Sequence, residues 1–136
     1  MKEALLYEKL PEGKVKCAVC NHRCLISPER RGICGVRENR QGTLYALNYG
    51  KCVAAHVDPM EKKPLYHFLP QTRIYSFAAV GCNFRCLWCQ NWEISQSPKP
   101  DLPIDGIEIS PAEHVARALE YACPSIAYTY SEPTIF

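Results

Sequence analysis

The sequence lacks long apolar runs, a strong charge bias and an even number of cysteines. Its 136 residues carry a formal net charge of +2, which is too small to indicate a nucleic-acid or anionic-membrane partner. The first residues contain no apolar stretch of signal-peptide length, and no later stretch approaches the length of a membrane span. We therefore expect a cytoplasmic protein that binds neither nucleic acid nor membrane.

Cysteine is abundant, with nine residues, but an odd number without an export signal argues against a disulfide framework. Seven of the nine fall in two short clusters, at 17–34 and 82–89. Clustered thiols in a reducing compartment are typical of metal or redox sites. The other two, Cys52 and Cys123, fall in a predicted strand and a predicted helix and are expected to be small buried residues.

The pattern along the chain predicts two domains, 1–57 and 58–136. The first is a small cysteine-rich module followed by two strand-like runs, 43–48 and 52–57, and the turn around Gly50 between them suits a hairpin. Two proline-rich segments are predicted loops: 58–72 and 96–109.

The second domain has the order strand, loop, helix, strand. The apolar run 74–80 predicts a buried strand, and 125–130 predicts a second one. Between them, Ser110 and Glu113 form a capping-box pattern at the start of a helix that Pro124 ends. The apolar residues predicted to share one face of this helix are Val115, Leu119 and Ala122.

A strand, a helix and a strand in this order form a βαβ unit, which implies a parallel sheet. Two parallel strands cannot bury both of their faces, and a full (β/α) barrel takes roughly 200 residues or more. The sequence therefore predicts a truncated chain that lacks most of a barrel.

The cluster loop, residues 81–91, contains three thiols in the spacing C-x3-C-x2-C: Cys82, Cys86 and Cys89. Thiolates hold the iron of sulfide clusters, and a short loop can deliver three of them to one cubane. Because no fourth thiol is local, one iron stays open, as in catalytic rather than structural metal sites. The alternatives are zinc, with Cys52 or Cys123 as a remote fourth ligand, and three unbound thiols.

The cysteine spacing, its place directly after a predicted strand and the aromatic Trp88 before Cys89 resemble the signature of the radical S-adenosylmethionine (SAM) superfamily. Further blocks extend the likeness over nearly the whole chain, at 17–24, 31–39, 58–70, 89–95 and 128–133. Together these blocks resemble the AmmeMemoRadiSam-system radical SAM enzymes, which are relatives of the pyruvate formate-lyase-activating enzymes.

The resemblance implies an α/β fold, the N-terminal portion of a partial (β/α) barrel preceded by the cysteine-rich module and hairpin. In that superfamily a [4Fe–4S] cluster binds SAM at its open iron and passes one electron to the sulfonium. Cleavage of the C5′–S bond then gives methionine and a 5′-deoxyadenosyl radical, which abstracts hydrogen from a substrate. The expected electron donor is a flavodoxin or ferredoxin, and the substrate, a protein among the candidates, is not identified by the sequence.

The resemblance also assigns roles to individual residues. Cys82, Cys86 and Cys89 match the cluster ligands, and Trp88 matches an aromatic position near the adenine, although loop packing explains it equally well. Ser131 and Glu132 match the place of a Gly-Gly-Glu-Pro motif that contacts the SAM amino group. This chain departs from that motif because Tyr130 and Ser131 replace the glycines that allow close backbone approach. An exposed carboxylate in a turn is the alternative for Glu132.

A second group, the N-terminal cysteine set, has the spacing C-x2-C-x3-C-x9-C and consists of Cys17, Cys20, Cys24 and Cys34. Four thiols can close a tetrahedral zinc site or bind a second iron–sulfur cluster. A closed site would add folding energy to a segment too irregular to have its own core. An unmetallated set is the third alternative, and His22 is a candidate substitute for one thiol.

Several other residues have a functional and a structural interpretation. Lys62, Lys63 and His67 lie in a block shared with the resembled family, so a place near SAM or substrate competes with a solvated loop. Asn91 either orients the cluster loop or caps a helix. No partners are predicted for His56 and His114.

The sequence leaves three classes of function open. The leading one is an enzyme that forms a SAM-derived radical, either on an unknown substrate or as an activase of glycyl-radical enzymes, a version that rests on family likeness alone. The second is a non-catalytic electron-transfer or metal-binding module. The third is a zinc-dependent interaction module centred on the N-terminal cysteine set.

Overall fold

The computed structural model describes residues 1–98 and 100–136. The strands are β1 (Lys2–Glu3), β2 (Tyr7–Lys9), β3 (Val15–Cys17), β4 (Leu25–Ile26), β5 (Arg37–Arg40), β6 (Thr43–Ala46), β7 (Lys51–Cys52), β8 (Ala54–Pro59), β9 (Arg73–Ala78), β10 (Ile107–Glu108) and β11 (Ser125–Tyr128). The helices are α1 (Trp92–Ser95) and α2 (Pro111–Glu120). Single turns of 3-10 helix lie at Pro11–Gly13, Met60–Lys62 and Pro133–Ile135.

The strands form small sheets rather than one large one. Their orders are β1-β6-β5, β2-β3-β4, β10-β7 and β11-β9-β8. The fold is therefore mixed α/β, with mostly short strands and few helices. Within the described residues, no helix combines the length and the apolar character that crossing a bilayer demands.

The central sheet, β11-β9-β8, contains the predicted parallel pair. Strands β9 and β11 run parallel, with Ile74 opposite Ser125 and Phe77 opposite Tyr128, which confirms the βαβ unit. Strand β8 pairs antiparallel with the other edge of β9, and the predicted domain boundary between residues 57 and 58 falls inside it. The described residues form an open sheet here, so the partial barrel stays a prediction.

The predicted hairpin between 43–48 and 52–57 is wrong. Strand β6 instead pairs with β5, across a turn in which Gln41 and Gly42 both have positive φ, 52° and 84°. Hairpin turns that match the twist of the strands require this geometry. The second predicted strand, 52–57, is divided between two sheets, because β7 pairs with β10 and β8 pairs with β9. The presence of β10 also corrects the loop predicted over 96–109.

Helix α2 begins as predicted. The Ser110 side chain accepts from the Glu113 amide at 3.2 Å, and the Glu113 carboxylate accepts from the Ser110 amide at 2.7 Å. The buried face of α2 contains His114 and Ala118, one position before the predicted Val115 and Leu119. The His114 ring stacks on Phe77 of β9 at a ring-centroid distance of 3.8 Å. The predicted face members Val115 and Leu119 are 50% and 73% exposed.

One apolar cluster joins the cysteine-rich segment to the exit of β9. Its buried members are Val36, Leu47, Val80, Ile104 and Ile135. Val36 precedes β5, and Val80 leads from β9 into the cluster loop. The two regions that contain the clustered cysteines therefore share this cluster. The N-terminal segment also has a cluster of its own, in which Cys17 is buried with Val15, Ile26 and Leu44, so the expectation that it lacks a core is wrong.

Candidate functional site

The cluster loop leaves the carboxyl edge of the parallel pair, next to the residues that follow β11. Gly81, with φ +97°, turns the chain into the loop, and its amide donates to the Ile94 carbonyl at 3.1 Å. The Ser131 hydroxyl donates to the Ala79 carbonyl at 2.9 Å. Ligands of α/β sheets bind outside the carboxyl ends of the strands, so the predicted ligands and cofactor residues lie at the expected edge.

All nine cysteines are free thiols, and those of the cluster loop differ in exposure. Cys82 is buried, Cys89 is half-buried and Cys86 is exposed. The Phe84 amide donates to the Cys82 sulfur at 3.4 Å, and the Ser95 hydroxyl lies 3.5 Å from the Cys89 sulfur. Hydrogen bonds to the sulfurs are a common feature of iron–sulfur sites, where they tune the reduction potential.

The loop presents an apolar surface to solvent. Leu87 is 96% exposed and Trp88 is 82% exposed, and Phe84 and Trp92 are also more than half exposed. Contiguous exposed apolar side chains mark binding sites for ligands or partners. Trp88 therefore does not serve as a core residue among the described residues, and its place near adenine stays a prediction.

A groove of about 580 Å³ lies where the cluster loop, the turn after β11 and the N-terminal cysteine segment meet. Asn83 and Phe84 line it from the loop, Glu132 and Thr134 line it from the turn, and residues 19–22 form its third side. The Thr134 amide and hydroxyl donate to the same oxygen of Glu132, the amide at 3.3 Å. Among the residues that the structure describes, the buried Asn83 Oδ1 lacks a hydrogen-bond partner.

The N-terminal cysteine set surrounds one small cavity of about 10 Å³. Cys17 ends β3, Cys20 and Cys24 lie in the turns between β3 and β4, and Cys34 precedes β5. Burial raises the pKa of the Cys17 thiol and of the Cys34 thiol. Four thiols from separate segments thus line one cavity, and whether they bind zinc, a cluster or no metal stays a prediction.

Arg37 borders the same cavity, and sequence reasoning missed it. It is 5% exposed and donates to the Asn48 side chain and the Ile135 carbonyl, each at 3.1 Å. Burial lowers the pKa of the Arg37 guanidinium, and the neighbouring thiols of the set oppose that effect. No local pattern could have found this contact, since Ile135 lies 98 positions along the chain.

The two cysteine groups are in direct contact through their loops. His22 Nε2 lies 2.7 Å from the Asn83 carbonyl oxygen. Arg85 donates to the Cys82 carbonyl at 3.0 Å and to the Ile33 carbonyl at 2.6 Å. His22 thus contacts the cluster loop with one ring nitrogen, a use that the sequence did not suggest.

Among residues 1–98 and 100–136, no three His, Cys, Asp or Glu side chains are arranged closely enough to hold an ion as they stand. Metal ligands commonly reach their final geometry only on binding, since the binding free energy also contributes to folding. The placement of the cysteines defines where metals would bind, and the ligand geometry itself is a prediction.

A polar network lies on the face of the central sheet opposite α2. The carboxylate of Asp58 accepts from Lys62 and Lys63, both at 2.8 Å, and from the Tyr130 hydroxyl at 3.1 Å. Burial raises the pKa of Asp58, but the two lysines outweigh it and hold that pKa far below its usual range. The lysines therefore hold a buried carboxylate, and His67 is exposed.

The remaining candidates have structural roles. Asn91 precedes α1, and its backbone carbonyl, not its side chain, accepts the first hydrogen bonds from Ile94 and Ser95. Cys52 and Cys123 are buried, as predicted, but Cys123 lies beyond the end of α2 at Glu120 and not in the predicted helix. His114, for which no partner was predicted, lies 3.2 Å from the Tyr75 hydroxyl, and His56 makes an edge contact with Tyr130.

Comparison with known proteins finds relatives in one archaeon. The chain is 52% identical over 136 residues to the uncharacterized protein MJ0808 of Methanocaldococcus jannaschii, covering all of this chain and 40% of that protein. It is 36% identical over 81 residues to the uncharacterized protein MJ0674 of the same organism, covering 59% of this chain and 19% of that protein. No protein-family model and no solved structure matches.

The chain spans about two fifths of the length of MJ0808. The likeness nevertheless runs through the whole of this chain, including the segments that hold both groups of clustered cysteines. We therefore treat the activity, the substrate and the partners of the whole protein as proposals.

Proposed function

We propose that this chain belongs to a radical SAM enzyme and that Cys82, Cys86 and Cys89 bind a [4Fe–4S] cluster. The observation that carries the proposal is that the cluster loop and the Glu132 turn line one groove, which residues 19–22 complete, beyond the carboxyl ends of two parallel strands. The finer fold in this proposal is a partial (β/α) barrel, of which the βαβ unit is the first part.

The donor set fits a cluster with one open iron. Three thiols come from one loop, and within the described residues that loop offers no fourth cysteine. The exposed Cys86 and half-buried Cys89 leave one side of the loop accessible to solvent. Thiolate ligands and amide donors to sulfur are what an iron–sulfur site requires.

The chain's own residues would position the cosubstrate. Glu132 presents a carboxylate to the groove, and a carboxylate attracts the ammonium group of an amino acid. Its hydrogen bonds from Thr134 fix one of its oxygens, which limits the rotamers of the side chain. Ser131 is held against Ala79, so the turn is tied to the exit of β9 where the cluster loop begins.

The exposed aromatic residue of the loop has a role in this proposal. Trp88, at 82% exposed, would stack on the adenine ring, since aromatic faces and nucleobases stack favourably. The cluster and SAM together would supply a 5′-deoxyadenosyl radical. The exposed loop would also admit an electron donor such as a flavodoxin or ferredoxin.

The test uses this chain and the longer relative MJ0808 side by side. Each protein is reconstituted anaerobically with iron and sulfide, reduced, and mixed with SAM. Cluster formation is followed by visible absorption and paramagnetic resonance, and SAM cleavage by detection of 5′-deoxyadenosine. We expect a cluster on both proteins, a SAM-dependent change in its resonance spectrum, and cleavage at least by MJ0808.

The matched controls are Cys86→Ser and Cys123→Ser. The first removes a proposed ligand and should abolish the cluster, while the second removes a buried thiol elsewhere and should leave it intact. A cluster that ignores SAM on both proteins would contradict the enzyme and favour a non-catalytic module. SAM cleavage that increases in the presence of a glycyl-radical enzyme would support the activase version.

A further inference from the structure

The cavity inside the N-terminal cysteine set has room for one ion. Its volume is about 10 Å³, close to the smallest space that holds a single water molecule. Gly32 keeps this space open, because a Cβ there would lie 3.5 Å from the Cys24 sulfur and 3.2 Å from Ile26.

Four thiols that line one cavity are a first indication of negative charge at this place, because thiolates are the form of cysteine that binds metals. They come from separate segments of the chain: Cys17 ends β3, Cys20 and Cys24 lie between β3 and β4, and Cys34 precedes β5.

The buried guanidinium of Arg37 is a second, independent indication of negative charge here. Among the residues that the structure describes, its Nε has no hydrogen-bond partner, and its partners at Nη1 are neutral oxygens. The ionisable side chains that line the same cavity include Cys17, Cys20 and Cys34, which become negatively charged when they bind a metal. A buried cation without an anion is unfavourable, and a buried charge is normally paired.

We propose that Cys17, Cys20, Cys24 and Cys34 bind one zinc ion in a closed tetrathiolate site and that Arg37 supplies the compensating positive charge. Zinc with four thiolates has two net negative charges, which a neighbouring guanidinium partly balances. Such sites are tetrahedral and structural, with no position left for substrate. This inference stands whether or not the cluster loop binds iron.

The first experiment isolates this site on the whole chain. The triple variant Cys82→Ala, Cys86→Ala, Cys89→Ala is purified and its zinc and iron are measured by mass spectrometry. We expect about one zinc per chain and no sulfide. After the zinc is stripped, addition of cobalt(II) should give the visible bands of a tetrahedral tetrathiolate complex.

Single substitutions in this background assign the ligands. Cys20→Ser and Cys34→Ser should lose the zinc, whereas Cys52→Ser and Cys123→Ser, which change buried thiols elsewhere, should retain it. If a ligand variant does not fold, the cobalt spectrum of the triple variant from which it was made decides whether the site exists. A tetrathiolate spectrum supports the site, and an octahedral spectrum overturns it.

Arg37→Gln tests the charge. Loss of an outer partner typically weakens metal affinity 10–100-fold, and we expect a decrease in that range, measured by competition with a zinc chelator. Arg37→Lys keeps the charge and should restore most of the affinity. Equal affinity in wild type and Arg37→Gln would overturn the role of Arg37, and a metal-free or iron–sulfur-containing triple variant would overturn the zinc site.

Discussion

The cluster loop and the N-terminal cysteine set use the same ligand type in opposite surroundings. The loop has three thiols and exposed apolar side chains, and the open groove beside it is also lined by Cys20 of the set. The set has four thiols around a small cavity that a buried guanidinium borders. An open metal position allows chemistry, and a closed one contributes folding energy, so the contrast separates a proposed reactive site from a proposed structural one.

The largest expected effect comes from removing the metal of the closed site. Structural zinc contributes on the order of 10 kcal/mol in small domains, and because this chain also has an apolar core we expect chelation to lower the free energy of unfolding by more than about 5 kcal/mol. Denaturant titration followed by circular dichroism, with and without chelator, measures the change.

The open site provides the matched control. Cys86→Ser changes an exposed thiol, so the free energy of unfolding should stay within about 0.5 kcal/mol of wild type. Equal stability with and without chelator would contradict a structural role for the closed site, since neither cysteine group would then contribute to folding through a metal.

Gly81 connects the two regions and gives the next largest effect. A Cβ at Gly81 would lie 2.7 Å from Val36 and 2.8 Å from the Cys34 carbonyl, with φ at +97°. Gly81→Ala therefore adds a steric clash to backbone strain, and we expect a loss of about 3 kcal/mol together with weaker cluster loading.

Gly50 separates strain from contact. Its φ is +71°, but the nearest atom to an added Cβ is the Ile109 carbonyl oxygen at 3.9 Å, an ordinary contact. Gly50→Ala should cost about 1 kcal/mol from strain alone and should leave cluster loading unchanged. Equal losses for the two variants would show that the loop does not depend on its contact with Cys34.

The features that could be predicted from the sequence are those with local signals. The capping box at Ser110 and the apolar run of β9 each lie within a few residues, and the structure bears out the helix and the parallel pair. The metal sites inferred from the spacing of the cysteines stay predictions. The predicted hairpin failed because the Gln41-Gly42 turn pairs β6 with the preceding strand.

The features that were missed depend on distant partners. Arg37 contacts Ile135 across 98 positions, and Tyr130 reaches Asp58 across 72. No window of sequence contains both members of such a pair, so the burial of the guanidinium and of the carboxylate could not be predicted. The buried face of α2 was misplaced for the same reason, since no local pattern reveals which strand residue stacks on His114.

Acid should release zinc from the closed thiolate site at a higher pH than it destabilises the central sheet. Asp58 has a folded-state pKa below its unfolded value, so its contribution is complete above about pH 4 and is lost only as pH falls through the lower folded value. Zinc thiolates bind protons in competition with metal, so zinc should leave as pH falls from neutral. We expect zinc release between neutral pH and about pH 4 while the sheet signal persists.

A substitution checks this assignment. Asp58→Asn removes the charged acceptor of two lysines and should lower the free energy of unfolding by about 2 kcal/mol. This loss should be the same at every pH from neutral to about 4. Lys62→Met, at a side chain that is 60% exposed, is the control and should change stability little. A penalty for Asp58→Asn that disappears already at mildly acidic pH would contradict the lowered pKa.

The smallest effect on stability is expected at Trp88, where the effect on ligand binding should be large. Its side chain is 82% exposed, so Trp88→Ala should change the free energy of unfolding by no more than about 0.5 kcal/mol. Loss of one base-stacking contact is worth about 1–3 kcal/mol, which predicts at least about a fivefold weaker affinity for SAM, measured by calorimetry on the reconstituted protein. Trp92→Ala removes a second tryptophan, 61% exposed, and should leave affinity unchanged. A protein that binds SAM equally well in all three forms would show that the exposed apolar surface of the cluster loop serves another partner, because nothing in its own packing requires a tryptophan at position 88.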